Sequence, residues 1–349
     1  MNANASSYAT QLRLELGARN RVYACGRLHV ESYGNPPVIV YAPEGDRHGN
    51  FFDPAYQAIR ANPQWLRRFD KVHAQGARSL PKLDLNPPRR WRELDSSMSS
   101  DALLMNVFCT PAVVNSAAVR SALGVEETTS PVFGWKARVP FANGRFDRTE
   151  VDMRWGSLLV EAKLTEADFQ TREARLVESY RGFDEVFDRE LLPVVQLPTV
   201  RRKQPFEFPE AYSQEQESLI DTTELGLMNS AAMNESSASF AAALEFNSTL
   251  PSERGYSSYQ LIRNVLAAYA SQSSFCVIHD ARRLDLREQW FQVMAAVKSA
   301  ELRVRLKVLT WQELSAIVPV ELQDFLDAKY GIAAPGMAAT PVDDVRMAE

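Results

Sequence analysis

The chain has 349 residues, 45% hydrophobic and 24% charged, which excludes wholesale disorder, a collagen-like fibre and a short disulfide-stapled module, and leaves room for two domains or one elaborated domain. The net charge of −5 excludes a histone-like binder, so nucleic-acid affinity would have to come from a local basic surface. Cys25, Cys109 and Cys276 are too far apart in sequence for a zinc ribbon or a disulfide framework.

The N-terminal residues lack a basic patch followed by an apolar run, and no stretch approaches ~18 uncharged apolar residues, so a cytoplasmic protein without a membrane partner is expected. Residues 20–42 read as two or three short strands, with 21–24 and 38–41 flanking the Gly34-Asn35-Pro36-Pro37 breaker. Helical spacing follows over 54–70. From 60 to 92 nine basic residues face only Asp70 and Asp84, with Trp65, Phe69 and Trp91 among them. Residues 98–122 form a long apolar-periodic helix that breaks or restarts at Pro111, because proline suits a first helical turn and not an interior.

Strands are expected over 132–141, 149–155 and 158–163, then a helix over 166–180 capped by Thr165. From 207 to 257 nine acids face Arg254 alone, in a Ser- and Ala-rich text that suggests helices and loose linkers. A clean helical pattern resumes at 258–270. A buried strand (274–280), a helix near 286–300 and a strand at 303–310 complete the pattern, and the tail from 331 reads as disordered. His29, His48, His73 and His279 are widely spaced, and His279 reads as a packed core residue. No phosphate-loop, dinucleotide-fold or serine-elbow motif is present.

The segment TEVDMRWGSLLVEAKLTE (149–166) fixes side-chain geometry by counting. Gly156-Ser157 between two β-rich runs reads as a two-residue hairpin loop. Pairing then runs from Trp155 with Leu158 to Asp152 with Glu161. Residues opposite one another share a face, and the period of two adds Lys163 to it. Val151, Met153, Trp155, Leu158, Val160 and Ala162 take the apolar reverse. Two carboxylates at this spacing repel unless a cation sits between them, and hard divalent cations prefer such oxygens. The trio therefore suits metal-dependent phosphodiester hydrolysis, although by spacing alone a solvated or salt-bridged polar face looks the same.

The string Asp152-x8-Glu161-Ala162-Lys163, on a hairpin between helices, resembles the active-site motif of the PD-(D/E)XK nuclease superfamily. More narrowly, SSDALLMNVF (99–108), EAKLTEADF (161–169) and YQLIRN (259–264) are similar to segments of a restriction endonuclease family within it. The resemblance covers roughly residues 90–310. It implies that Asp152, Glu161 and the backbone carbonyl of Ala162 bind Mg²⁺, with Mn²⁺ able to substitute, and that Lys163 positions the attacking water. Gln260 falls where related nucleases carry a supporting glutamine, and Asn264 shares its helical face. Val151 replaces the usual proline. For the upstream acid the choice is Glu127, with Glu150 as the alternative.

The fold implied is α/β. A restriction-endonuclease-like core, a mixed central β-sheet flanked by helices, occupies 93–330. An N-terminal elaboration covers 1–92, an acidic helical insertion 201–257 and a disordered tail 331–349. The partner implied is DNA, contacted by Arg89, Arg90, Trp91 and Arg92, with Arg201-Arg202-Lys203 and Arg282-Arg283 as secondary candidates; a homodimer follows from the resemblance alone. The alternatives are a repair, mobile-element or defence nuclease without sequence specificity, and a catalytically inactive DNA-binding protein of the same fold.

Overall fold

A computed structural model describes residues 7–72, 80–81, 90–126, 129–197 and 253–341. The chain divides into two compact units, 1–193 with 256–349, and 194–255. The second has its described residues in the strand Val194–Leu197 and the start of the strand Glu253–Tyr256. Most of the acidic stretch at 201–257 lies outside the described residues.

In the larger unit, helix α1 (Tyr8–Tyr23) starts at Ser7, whose hydroxyl accepts from the Thr10 N–H, as an N-cap should. Residues 21–24, read from sequence as a strand, instead form the last turn of this helix and its C-cap, Ala24. Tertiary contact overrides the local β preference: the Asn20 amide donates to the Leu16 carbonyl and to that of Lys329, 309 residues away. The expected strand at 38–41 is present as Ile39–Tyr41, antiparallel to His29–Glu31. Helix α2 (Asp53–Ala61) stops before Pro63, and the Asn62 side chain caps a separate turn, Pro63–Leu66. Helix α3 (Ser100–Phe108) starts from the Ser99 cap, and Pro111 opens the next turn, Pro111–Val114.

Five strands form one mixed sheet: β1 (Val132–Lys136), β2 (Glu150–Trp155), β3 (Leu158–Ala162), β4 (Ser274–His279) and β5 (Leu306–Thr310), in the order β5-β4-β3-β2-β1. β1, β2 and β3 run antiparallel to their neighbours in turn, while β3, β4 and β5 are mutually parallel. The apolar run of β4 is buried on both faces, as central parallel strands are. On one face Leu159, Phe275 and Val277 pack with α4 (Tyr259–Ala270) and α5 (Leu284–Ala296). On the other, Met153, Trp155, Val160 and Ile278 pack with α1, α3 and α6 (Val320–Tyr330). Helices thus cover both sides of the sheet.

The helix expected over 166–180 is replaced by an extended loop and one turn, Ala174–Val177. Its carbonyls have other partners. The buried Arg283 guanidinium donates to the carbonyls of Leu164, Glu166 and Ala167, and the Phe169 and Gln170 carbonyls accept from Gln260 and Tyr259 at the start of α4. The segment from 331 is anchored at two points and exposed between them: Ile332 is buried in the core, the Thr340 N–H donates to the Asp327 carboxylate, and residues 335–338 are exposed.

Candidate active site

The β2–β3 hairpin turns at Gly156, φ 58°, with Trp155 opposite Leu158, Arg154 opposite Leu159 and Met153 opposite Val160. This is the register counted from the sequence. The ladder ends there, however, and Asp152 is not a backbone partner of Glu161; its Oδ2 accepts from the Ala162 N–H at 2.7 Å. A side-chain oxygen takes the place of a ladder carbonyl, and the alternation slips at this point. Val151, expected beside Met153, packs with Leu159 and α4 instead.

Four residues predicted from sequence converge. Lys163 Nζ lies 3.0 Å from Glu161 Oε1 and donates to Gln260 Oε1 at 2.9 Å. Asn264 Nδ2 donates to the other Glu161 oxygen at 2.8 Å. Glu161 and Lys163 are 1% and 5% exposed, so this pair is screened little by solvent. Gln260, Arg263 and Asn264 stand at i, i+3 and i+4 of α4 and share one face. Arg263 donates to Asn264 Oδ1 at 2.7 Å and to the Glu150 carbonyl at 2.8 Å, tying the helix to the first residue of β2. From behind, the Trp311 indole N–H holds the Lys163 carbonyl at 3.0 Å.

Burial, with Glu161 and Asp101 nearby, pushes the Asp152 carboxyl well above the usual carboxylate range. Burial alone would lower the Lys163 ammonium, but Glu161, Glu166 and Asp152 outweigh it and hold its pKa above the ordinary lysine value. The site is therefore an acid pair with one embedded cation, and nothing adjacent fully offsets the cost of charging Asp152.

Asp101 was not singled out by the sequence reading. It stands in the first turn of α3, 6% exposed, and is the lone acid of SSDALLMNVF; an ionisable residue on so apolar a helix is the clue that could have found it. Glu127 lies outside the described residues, so among those described Asp101 is the acid that α3 brings near Asp152. Arg68, from the basic run, spans the acids: Nη2 donates to Asp101 Oδ2 and Nη1 to Glu150 Oε2, both at 2.7 Å. Gly134 makes room for it. This glycine, between the pairs Phe133 with Met153 and Trp135 with Val151, has φ 63°, and a Cβ there would lie 2.4 Å from Arg68 Nη1.

The donors suit a hard divalent cation in kind: carboxylates of Asp152 and Glu161 and the Ala162 main-chain carbonyl, all oxygen. Among the described residues no three His, Cys, Asp or Glu side chains form a ready-made cage. A cation between the acids would relieve the raised Asp152 pKa.

The proposed DNA-contact run is not one uniform surface. Arg89 lies outside the described residues and Arg90 is exposed. The half-buried Trp91 and Arg92 are engaged internally: the Trp91 indole donates to the Pro81 carbonyl at 2.9 Å, and Arg92 Nη1 to the Asp70 carbonyl at 3.0 Å. Of the secondary candidates, 201–203 lie outside the described residues. Arg282 pairs with Asp280 and Glu15, and Arg283 is fully buried on the loop after Lys163, which removes it as a DNA contact. His279 is buried, as expected, with Nδ1 on the Asp280 carbonyl. No helix among the described residues is long and apolar enough to cross a membrane.

A family model described as restriction endonuclease associating with ARP matches residues 18–331. No curated protein and no solved structure matches the chain.

Proposed function

This chain belongs to the family of restriction endonucleases associating with ARP, and from that premise we propose that it hydrolyses DNA phosphodiester bonds through a PD-(D/E)XK-type site on β2 and β3, with Mg²⁺ as cofactor and Mn²⁺ as a substitute. The observation that carries this reading is the Glu161–Lys163 pair, 3.0 Å apart and buried next to Asp152, inside a nuclease family.

In this reading Asp152, Glu161 and the Ala162 carbonyl hold the cation, and Asp101 is the upstream acid. The cation supplies charge neutralisation and polarisation of the phosphodiester. Lys163 Nζ, fixed by Glu161 and Gln260, orients the attacking water and offsets negative charge that develops on the phosphate. Asn264 keeps the Glu161 carboxylate in place, and Gln260 does the same for Lys163. Arg68 balances Asp101 and Glu150 at the edge of the site.

The test is supercoiled plasmid with purified protein and Mg²⁺, comparing wild type, Asp152→Ala and Lys163→Ala. Nicking or linearisation by wild type alone, with folding and DNA binding retained in both variants, is the expected result. Cleavage by Lys163→Ala at the wild-type rate overturns the assignment. A second reading, a catalytically inactive DNA-binding protein, draws on the Arg68 pairing, in which a guanidinium already neutralises two acids; binding without cleavage in either metal supports it. Mapping the cut ends separates a sequence-specific enzyme from one without a fixed target, and sedimentation tests the homodimer.

A further inference from the structure

The loop between β1 and β2 carries a second set of functional groups. Its backbone folds as a small hairpin: Pro140 bridges Phe146, the Phe141 N–H donates to the Arg145 carbonyl at 2.8 Å, and Gly144 turns at φ 82°. The tip is pinned from beneath. Phe141 stacks on Tyr180 at 4.6 Å between centroids, and the Asp147 carboxylate accepts from Tyr180 OH at 2.5 Å and Thr149 N at 2.7 Å. Tyr180 OH in turn bonds Tyr259 OH at 2.7 Å, one residue before Gln260. The outer side of this rigid tip is a cleft of about 400 Å³ lined by Arg138, Arg145, Phe146 and Arg148.

All four side chains are exposed, Phe146 by 53%, and among the described residues no side chain pairs with the three guanidiniums. Arg138 holds φ 52°, a left-handed conformation that non-glycine residues seldom keep without a reason. Three free guanidiniums around one free aromatic face offer phosphate contacts and a stacking platform together. The cleft's volume is near the lower end of the ~300–1,000 Å³ range for small-ligand sites, which suits one nucleotide and not a duplex groove. An aromatic face can stack only on a base released from its own stack.

We propose that this cleft docks an unpaired nucleotide of a DNA strand, its base on Phe146 and its flanking phosphates on Arg138, Arg145 and Arg148, so that the preferred substrate contains a single-stranded or extrahelical nucleotide. The choice of DNA rests on the nuclease reading. The docking site itself does not need catalysis, because it lies on the loop that leads into Glu150 and Asp152 and uses none of the residues assigned to cleavage.

The test is fluorescence anisotropy of the full chain in EDTA, with a labelled single-stranded oligothymidine, a perfect duplex and a duplex with one bulged nucleotide. Wild type binds the single strand and the bulged duplex more tightly than the perfect duplex. Phe146→Ala loses about tenfold in affinity for the single strand and the bulged duplex and nothing for the perfect duplex, whereas Phe146→Trp retains the preference. Arg138→Gln with Arg145→Gln lowers the steepness of the salt dependence by about 1 to 2 on logarithmic axes. Equal affinity of wild type and Phe146→Ala for the single strand, equal loss on all three ligands, or no binding by wild type overturns the proposal. Binding preference without plasmid cleavage overturns the nuclease reading alone, and cleavage without binding preference overturns this one alone.

Discussion

Asp152 shows how a single carboxylate can oppose the stability of the fold that holds it. Its pKa is raised by burial, by Glu161 and by Asp101, so the folded protein binds its proton more tightly than the unfolded chain does. The stabilising contribution is complete below the unfolded carboxylate range and is lost as pH rises through the folded value. Asp152→Asn removes the charge and keeps an oxygen for the Ala162 N–H. In EDTA its thermal midpoint should exceed that of wild type by a few degrees at pH 8, with the gap closing by pH 4; a gap that widens on acidification contradicts the assignment. Gly134 makes the opposite kind of contribution, through what it lacks. Gly134→Ala places a Cβ on Arg68 and requires an L side chain at φ 63°, at a cost of ~1–3 kcal/mol by urea denaturation. In an Arg68→Ala background the cost should be smaller, because the clash with the guanidinium is gone and only the 3.0 Å contact with Glu150 Oε2 remains; strict additivity would separate the two residues.

At the scale of elements, α4 supports the hairpin. Its Gln260 and Asn264 each hold one catalytic candidate, and its first two N–H groups bond carbonyls of the loop that follows Lys163. Outer-shell partners of this kind typically contribute 10–100-fold to metal affinity or activity. Asn264→Ala should therefore raise the Mg²⁺ concentration for half-maximal plasmid nicking about 10-fold or more, with DNA binding in EDTA unchanged. The helix expected over 166–180 is absent for a related reason. Arg283 and α4 take the carbonyls that an α-helix would have used, and the resulting loop keeps Lys163 facing Gln260. No helical periodicity reveals such a competition, since the competing donors are about 90 to 120 residues away in sequence.

Over the whole larger unit, α1 and α6, far apart in sequence, pack against each other. Lys329 is fully buried there, donates to Asn20 Oδ1 at 2.7 Å, and lies 4.1 Å from the centre of the Tyr41 ring. Cation–π attraction of ~0.5–2 kcal/mol would favour the ammonium, but burying an ion without a counter-charge costs several kcal/mol. Burial, reinforced by Arg27, wins and pulls the Lys329 pKa well down. A depressed lysine makes the unfolded chain the better proton binder near neutrality, so this penalty fades as pH rises toward the unfolded lysine value. Lys329→Met should raise the thermal midpoint at pH 7 and show a smaller advantage at pH 10, because Asn20 Oδ1 still accepts from Tyr41 OH at 3.0 Å.

Much of the site was legible without coordinates. A glycine-led two-residue loop and a period of two set the hairpin register from Trp155–Leu158 to Met153–Val160, and put Glu161 and Lys163 on one face. The apolar residues of SSDALLMNVF and YQLIRNVLAAYA marked α3 and α4, which are buried almost all round, because a helix enclosed on all sides is apolar on all sides. Tertiary structure alone decided the rest: where the β2–β3 ladder ends and Asp152 turns to the Ala162 N–H, that Asp101 stands near Asp152, that Arg68 fits against Gly134, and that Gln260 meets Lys163 across 97 residues of sequence separation. Short-range periodicity records which face of an element is buried. It does not record which other element lies against that face, since that is set by strand order in the sheet and by the packing of the helices that cover it.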